Sequence, residues 1–349
     1  MKSVVMIGPS PASRGGMASV IRTLLAHGYG KADGCRFIAT QVDGSRARKA
    51  GRAALALAHF TGLLAGGKVA LLHVHVASGA SFWRKASFIA AARVAGCPVL
   101  FHLHGGQFRM FLSSLSGARR RLALWLMQDA RAAFALSADA AALLRAHCPR
   151  AVVEVFPNPV AGMAPLPRMP CANVLFLGRL EAQKGVLDLL HAFAPVSRAY
   201  PPARLILAGD GDPAPVHELA RRLGLVAQVQ TPGWIDAAER ARLLASAAVF
   251  VLPSHHEQMP MSLLEAMAAG TPVVASAVGA IPDMLAHGRY GTVVSPGNID
   301  ELAAAILEML QDNILAENFS ARGLERVKSE YHVEEVLARL RRRYEELLQ

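Results

Sequence analysis

Phe250-Val251-Leu252-Pro253-Ser254-His255-His256-Glu257-Gln258-Met259-Pro260-Met261-Ser262-Leu263-Leu264-Glu265-Ala266-Met267-Ala268-Ala269-Gly270 reads as strand, loop and helix. The apolar run Ala247 to Leu252 predicts a buried strand, and Pro253 to Met259 is a polar turn. Pro260 sits where a helix can begin, because a first-turn proline loses no hydrogen bond and its φ is already helical. The helix runs through Ala269 and stops at Gly270. Glu257 then lies in the loop and Glu265 on the helix, eight residues on. Free N–H groups of the first helical turn, with Pro260 and Met261 among its residues, attract phosphate or sugar hydroxyls. Two carboxylates beside them can accept hydrogen bonds from vicinal hydroxyls. The chemistry suggested is binding of a sugar nucleotide.

The same strand–loop–helix pattern recurs along the chain and predicts parallel α/β sheets. At 349 residues the chain can hold two domains with large cores. Strand Val4–Gly8 leads through Pro9-Ser10-Pro11-Ala12-Ser13-Arg14-Gly15-Gly16 to helix Met17–Ala26. Gly15 and Gly16 let backbone approach a ligand at a helix N-terminus. They do not form a Gly-x-Gly-x-x-Gly nicotinamide fingerprint. Val69–Val76 is a buried strand on which His73 and His75 share one face. Two histidines two apart can bind metal, but no third ligand is evident, and they read as satisfied core or cleft histidines. Val99–Leu103 is a further strand, ending in His104-Gly105-Gly106. Strand carboxyl ends line the ligand crevice of such sheets. Ala161–Pro170, with Pro165, Pro167 and Pro170, reads as the interdomain linker.

Charge is uneven. The net charge is +11, but residues 1–170 hold 21 Lys+Arg against 5 Asp+Glu, while residues 171–349 hold 16 against 21. The first half should therefore meet something anionic. Arg46/Arg48/Lys49/Arg52 and Arg119/Arg120/Arg121 each open an apolar helical run, the pattern of a membrane-surface helix or of a core helix with a solvated basic start. A nucleic-acid-binding protein fits the charge alone, but basic segments interleaved with aromatics and a helix-turn-helix are missing, so no nucleic-acid partner is expected. Cys35, Cys97, Cys148 and Cys171 are scattered without a C-x-x-C pair, as in a reducing compartment. The start at Met1 runs straight into a strand and leaves no room for a signal peptide, and no apolar run has transmembrane length.

Glu257-x7-Glu265, followed by Glu265-Ala266-Met267-Ala268-Ala269-Gly270-Thr271-Pro272-Val273-Val274, resembles the family-4 retaining glycosyltransferases of GT-B fold, bacterial cell-surface polysaccharide or lipopolysaccharide type. The usual Gly-Phe after the first glutamate is Gln258-Met259 here. Gly178-Arg179-Leu180-x-x-x-Lys184-Gly185, Gly209-Asp210-Gly211 and Thr231-Pro232-Gly233-Trp234-Ile235 continue the likeness, strong over about 173–310 and fainter over 1–160. Pro157-Asn158-Pro159-Val160 resembles the family's Pro-Asn-Gly-Val.

The resemblance implies an α/β fold of two Rossmann-like domains facing across a cleft. Residues 1–165 would bind the acceptor and 170–329 the nucleotide sugar, with a helix at about 330–349 packing back on the first domain. It implies that His104 faces the transferred sugar. Arg179 and Lys184 would bind the leaving diphosphate, whose growing charge suits a guanidinium and an ammonium. Glu257 would bind donor-sugar hydroxyls or the diphosphate region, and Glu265 the ribose. Gly15, Gly16, Gly178, Gly209, Gln258, Met259, Pro260 and Met261 complete the donor site. The implied enzyme is a hexosyltransferase of the EC 2.4 class using a UDP- or GDP-type sugar, retaining and metal-independent, with no cofactor. Asp210-Gly211-Asp212, the one Asp-x-Asp spacing, reads as a turn. The acceptor would be a saccharide or a polyprenyl- or lipid-linked saccharide, reached from the cytoplasm at the anionic inner face of the membrane. A sugar-nucleotide epimerase of related fold is the alternative.

Overall fold

A computed structural model describes residues 2–30, 34–162 and 171–349. The chain divides into two compact units. The first takes the described residues up to Pro159 together with Val333–Gln349; the second takes those from Val160 to His332. Most of the proline segment read as a linker, 163–170, lies outside the described residues.

The first unit alternates strand and helix: β1 (Ser3–Pro9), α1 (Gly16–Ala26), β2 (Arg36–Gln41), α2 (Arg46–Ala65), β3 (Val69–Val76), α3 (Ala80–Val94), β4 (Val99–Leu103), α4 (Phe108–Ser114), α5 (Gly117–Gln128), β5 (Ala132–Ala135), α6 (Ala138–His147) and β6 (Val152–Val155). The strands form one parallel sheet in the order β2-β1-β3-β4-β5-β6. Short apolar strands buried on both faces are what a parallel sheet requires. The sequence supplies them as Val-Ala-Leu-Leu-His-Val-His-Val and Val-Leu-Phe-His-Leu. Phe60, Phe82, Phe88 and Phe101 close the core and are fully buried. Each contributes about 1.5–3 kcal/mol of burial.

The second unit repeats the plan with β7 (Asn173–Leu177), α7 (Val186–Ala199), β8 (Arg204–Ala208), α8 (Ala214–Arg222), β9 (Val229–Gly233), α9 (Ala237–Ser246), β10 (Ala247–Leu252), α10 (Met261–Ala268), β11 (Val273–Ser276), α11 (Ile281–Met284), β12 (Thr292–Val294), α12 (Ile299–Gln311) and α13 (Asn313–Arg326). Its parallel sheet runs β12-β11-β10-β7-β8-β9. The segment Thr231-Pro232-Gly233, which the sequence shows only as a motif ahead of a helix, ends a strand. Pro232 is tolerated there because β9 is an edge strand.

The order reverses between β1 and β3 in the first sheet and between β7 and β10 in the second. Loops that leave neighbouring strands on opposite faces part at such points and open a crevice. The loop after β7 (178–185) is thereby set beside the loop after β10 (253–260).

The helix α14 (Val333–Leu348) belongs to the first unit although it ends the chain. Its Val336, Leu337, Leu340 and Tyr344 are buried. Arg339 Nε donates to Glu154 Oε1 at 3.0 Å, and Arg343 Nε reaches Glu154 Oε2 at 2.6 Å. Among the described residues no helix is long and apolar enough to cross a membrane.

Candidate active site

In the second unit the switch point brings together residues more than seventy positions apart. Lys184 Nζ donates to Glu257 Oε1 at 2.6 Å, and Ser254 Oγ donates to the same oxygen at 3.1 Å. The Glu257 carboxylate is only 11% exposed, so the lysine compensates a charge that would be costly alone. Arg179, at the start of the same β7–α7 loop, pairs with Glu181 and keeps an exposed guanidinium.

Gln258-Met259 replaces the resembled Gly-Phe, yet two glycines elsewhere hold the loop. Gly185 (φ +69) lies so close beneath Pro253 that a Cβ would collide with the Pro253 carbonyl oxygen. Gly279 (φ +59) packs in the same way against the carbonyls of Glu257 and Gln258. Both need the left-handed conformation that glycine adopts at no steric cost. Ala280 N then donates to Gln258 O at 2.7 Å, and His255 N to Gln183 O at 3.0 Å. His255 Nε2 lies 2.7 Å from Asp188 Oδ2, tying the loop to the first turn of α7.

Pro260 is not in the first helical turn. It is the N-cap of α10, with φ −70° and ψ 125°. Its φ is fixed by its ring whichever way ψ turns, so the sequence argument left the boundary one residue early. Met259, Pro260 and Met261 are buried. What the segment can offer a ligand is backbone, the N–H groups of Met261 and the residues after it that open α10.

Glu265 is already engaged. Arg240 Nη1, from α9, donates to both its oxygens at 2.9 and 3.0 Å. Sequence reading missed Arg240, which sits in no motif. The only trace is Asp236, whose side chain caps α9 by accepting from Glu239 N at 2.8 Å and so places Arg240 one turn in.

Gly178 and Gly209 end β7 and β8, with Gly178 N donating to Ala208 O at 3.0 Å and Gly209 N to Gly233 O at 2.8 Å. The two lie so close that a Cβ on Gly209 would collide with the Gly178 carbonyl oxygen. In Asp210-Gly211-Asp212 the Asp212 Oδ1 accepts from Ala214 N at 2.9 Å, and the Asp210 carbonyl accepts from Leu180 N at 2.8 Å. The first contact opens α8, and the second ties the segment to the loop after β7.

In the first unit, Gly15 (the N-cap of α1) and Gly16 are exposed after β1. His104 follows β4 and is part-buried. The expectation of no third histidine beside His73 and His75 is corrected. Parallel register pairs His75 with His102, so four imidazoles from β3 and the β4 end form one row. Sequence alone does not give that register. His73, His75 and His102 each present a nitrogen within 4.8 Å of the others. The row's internal contacts are hydrogen bonds: His73 Nε2 to His102 Nδ1 at 3.1 Å, and His75 Nδ1 to His104 Nε2 at 2.7 Å. Adjacent rings are near parallel, 12° for His73–His102 and 24° for His75–His104.

Tyr344 from α14 closes one end, its OH 2.6 Å from His73 Nδ1 and 3.3 Å from Tyr29 OH. Burial, then neighbouring histidines, holds His73 and His102 far below the usual imidazole range, and His75 likewise. Burial and then the charge of Lys85 bring His104 down to about 3. All four are neutral. Lys85, on α3, is 1% exposed, and its Nζ donates to Ser81 Oγ at 2.8 Å. Burial, then Arg84, lowers it to about 7.

The basic clusters part company. In α2 one face of the apolar run packs inward through Ala56, Phe60 and Leu63, while Leu55 and the basic start are exposed. Around α4 and α5, Met110, Leu122 and Trp125 are exposed next to Arg109, Arg119, Arg120 and Arg121.

Residues 171–326 match the model of the glycosyl transferases group 1 family, and residues 4–159 that of the glycosyl transferase 4-like domain. The chain belongs to the group 1 glycosyltransferases. Glycogen synthase of Mycobacterium tuberculosis is 34% identical over 166 residues, 47% of this chain and 40% of that protein. Phosphatidyl-myo-inositol mannosyltransferase of Mycobacterium leprae is 37% identical over 175 residues, 50% of this chain and 46% of that protein. The matched stretch thus spans under half the length of either glycosyltransferase. Among solved structures, sucrose-phosphate synthase from Thermosynechococcus elongatus superposes with a TM-score of 0.81 at 22% identity, covering 99% of both chains. Anabaena HepE, solved with UDP and glucose, gives 0.77 at 20% identity, covering 99% of this chain and 100% of that one. These likenesses establish the GT-B fold of the glycosyltransferase.

Proposed function

We propose that this glycosyltransferase moves a hexosyl group from a UDP- or GDP-type sugar to a saccharide or lipid-linked saccharide acceptor, with retention at the anomeric carbon and without a metal ion. The observation that carries the reading is the Lys184–Glu257 pair at the switch point of the second sheet, inside the residues matched by the family model. A cation for phosphate and an acceptor for hydroxyls stand there side by side.

As the anomeric C–O bond breaks, negative charge gathers on the leaving diphosphate, and Arg179 and Lys184 are placed to stabilise it. Such stabilisation accelerates the reaction because it grows toward the transition state. Glu257 accepts hydrogen bonds from the sugar and Glu265 from the ribose, each held by its cation, Lys184 or Arg240. His104 faces the transferred sugar. The acceptor hydroxyl attacks from the departing side, and the diphosphate oxygen takes its proton as the new bond forms. The M. leprae relative is named for a lipid acceptor. A surface like that of α4–α5, apolar side chains among arginines, suits an anionic leaflet. We accordingly place the protein on the cytoplasmic face of the membrane, in polysaccharide or lipopolysaccharide assembly.

The test is a thermal-shift panel of UDP, GDP, ADP and their sugar conjugates. Free ligand at a hundred times Kd stabilises by about 2.7 kcal/mol. UDP or GDP and its sugars should stand out. A flat panel overturns the reading.

A further inference from the structure

The histidine row poses a proton-counting problem with one good solution. Four neutral rings hold four N–H protons. Two nitrogens, His75 Nε2 and His102 Nε2, are buried without a hydrogen-bond partner among the described residues. Buried N–H groups without an acceptor are rarer and costlier than bare acceptors. Both orphan nitrogens are therefore the bare ones. His75 must then carry its proton on Nδ1 and donate it to His104 Nε2 across 2.7 Å. His104, neutral and accepting at Nε2, must carry its own proton on Nδ1. By the same rule His102 Nδ1 donates to His73 Nε2, and His73 Nδ1 donates to the Tyr344 hydroxyl. The polarity diverges, with protons pointing away from the middle of the row toward Tyr344 at one end and the part-buried ring of His104 at the other.

A second observation supports this direction. The buried Lys85 acts electrostatically on both His75 and His104. It donates to Ser81 Oγ and has further N–H groups. In its protonated form it has no acceptor to offer, which favours a bare nitrogen on the His75 ring over a second unpartnered N–H group.

We propose that His75 is a positioning residue that fixes His104 as an Nδ1–H hydrogen-bond donor toward the sugar nucleotide, excluding it as a base. This rests on the reading that His104 faces the transferred sugar. The Nδ1–H group can donate to a sugar hydroxyl or a phosphate oxygen, and it has no lone pair with which to take a proton from the acceptor. The acceptor proton then leaves with the diphosphate. The second ring of a histidine pair setting the tautomer of the first is the role carboxylates and carbonyls fill elsewhere.

The test is nitrogen-15 NMR of the full chain labelled at histidine, where long-range correlations separate protonated from bare ring nitrogens. Signals are assigned with His→Gln variants. The expected result is Nδ1–H for His73, His75, His102 and His104, against the Nε2–H preference of free neutral imidazole. A bare Nδ1 on His104 overturns the proposal. In His75→Phe, His104 should move toward Nε2–H and kcat should fall about tenfold or more, by analogy with one lost transition-state donor. In His75→Gln the side-chain amide can still donate, and both tautomer and rate should be largely restored. If His75→Phe leaves the tautomer unchanged, His75 does not set it. UDP-glucose and GDP-mannose are then added to the unmodified chain. Movement of the His104 signal with either supports its place at the donor. No movement with both removes His104 from the donor site while leaving the tautomer result standing, so the two failures are distinguishable.

Discussion

Replacing Lys85 by methionine should stabilise the protein near neutral pH and remove a rise of stability with pH. The amine is 1% exposed, and among the described residues it has a serine hydroxyl and no carboxylate for company. Burial and Arg84 lower its pKa from 10.5 to about 7. Between these values the native state binds fewer protons than the unfolded chain, so stability rises with pH across that window. Below about pH 7 both states are protonated and the whole cost remains. A gap of three to four pKa units corresponds to roughly 5 kcal/mol, of which about 4 is still felt at pH 7. Between pH 7 and pH 9 the unmodified protein should gain about 2 kcal/mol that Lys85→Met does not. Methionine fills similar space without the charge. Urea unfolding at a series of pH values, followed by tryptophan fluorescence, measures the difference, and Trp83 and Trp125 both report from the first unit. Parallel stability curves would show that the amine is not depressed. A variant less stable at pH 7 would show that the ammonium serves a partner worth more than its burial costs.

Arg179→Ala and Lys184→Ala should each lower turnover on the order of a hundredfold with folding intact by circular dichroism, since each removes a charge that gains value as the diphosphate leaves; near-normal turnover in both would refute their role. Arg240→Met should weaken nucleotide binding by about 1 kcal/mol, roughly fivefold in Kd by calorimetry, because Glu265 loses the partner that aims it. Equal or tighter binding would mean that the pair competes with the ribose. Co-sedimentation with anionic liposomes should appear at low salt, fade at high salt and drop when Arg119, Arg120 and Arg121 become glutamate, each contributing roughly 1 kcal/mol. Protein left in the supernatant with anionic lipid at low salt would end the membrane reading. Transfer activity should survive excess EDTA, and a loss restored by Mn²⁺ or Mg²⁺ would reject metal independence.

Much of the fold is legible in local pattern. Val69–Val76 and Arg204–Ala208 are apolar runs of strand length bounded by glycine or proline, and both are strands with those limits. The β9 strand was hidden because Gln230, Thr231 and Pro232 carry an edge strand's exposed chemistry, which resembles a turn. The site divides along the same line. Lys184 and Glu257 stand in motifs that can be read one loop at a time. Arg240 does not, because its meaning arises only when α9 is laid beside α10. The histidine row was half visible. The spacing within β3 put His73 and His75 on one face, but joining them to His102 and His104 depends on the register between strands, and closing the row depends on Tyr344, 271 positions beyond His73.

Helix α14 gives the order of synthesis a structural meaning. The unit that leaves the ribosome first is completed last, because the segment that covers it is made only after the whole second unit. At ordinary elongation rates the delay is roughly ten to thirty seconds. Until then His73 Nδ1 lacks its phenol and the surface that receives Val336, Leu337 and Leu340 is wet. A ribosome that stalls before Tyr344 is made leaves a complete second sheet joined to an unfinished first.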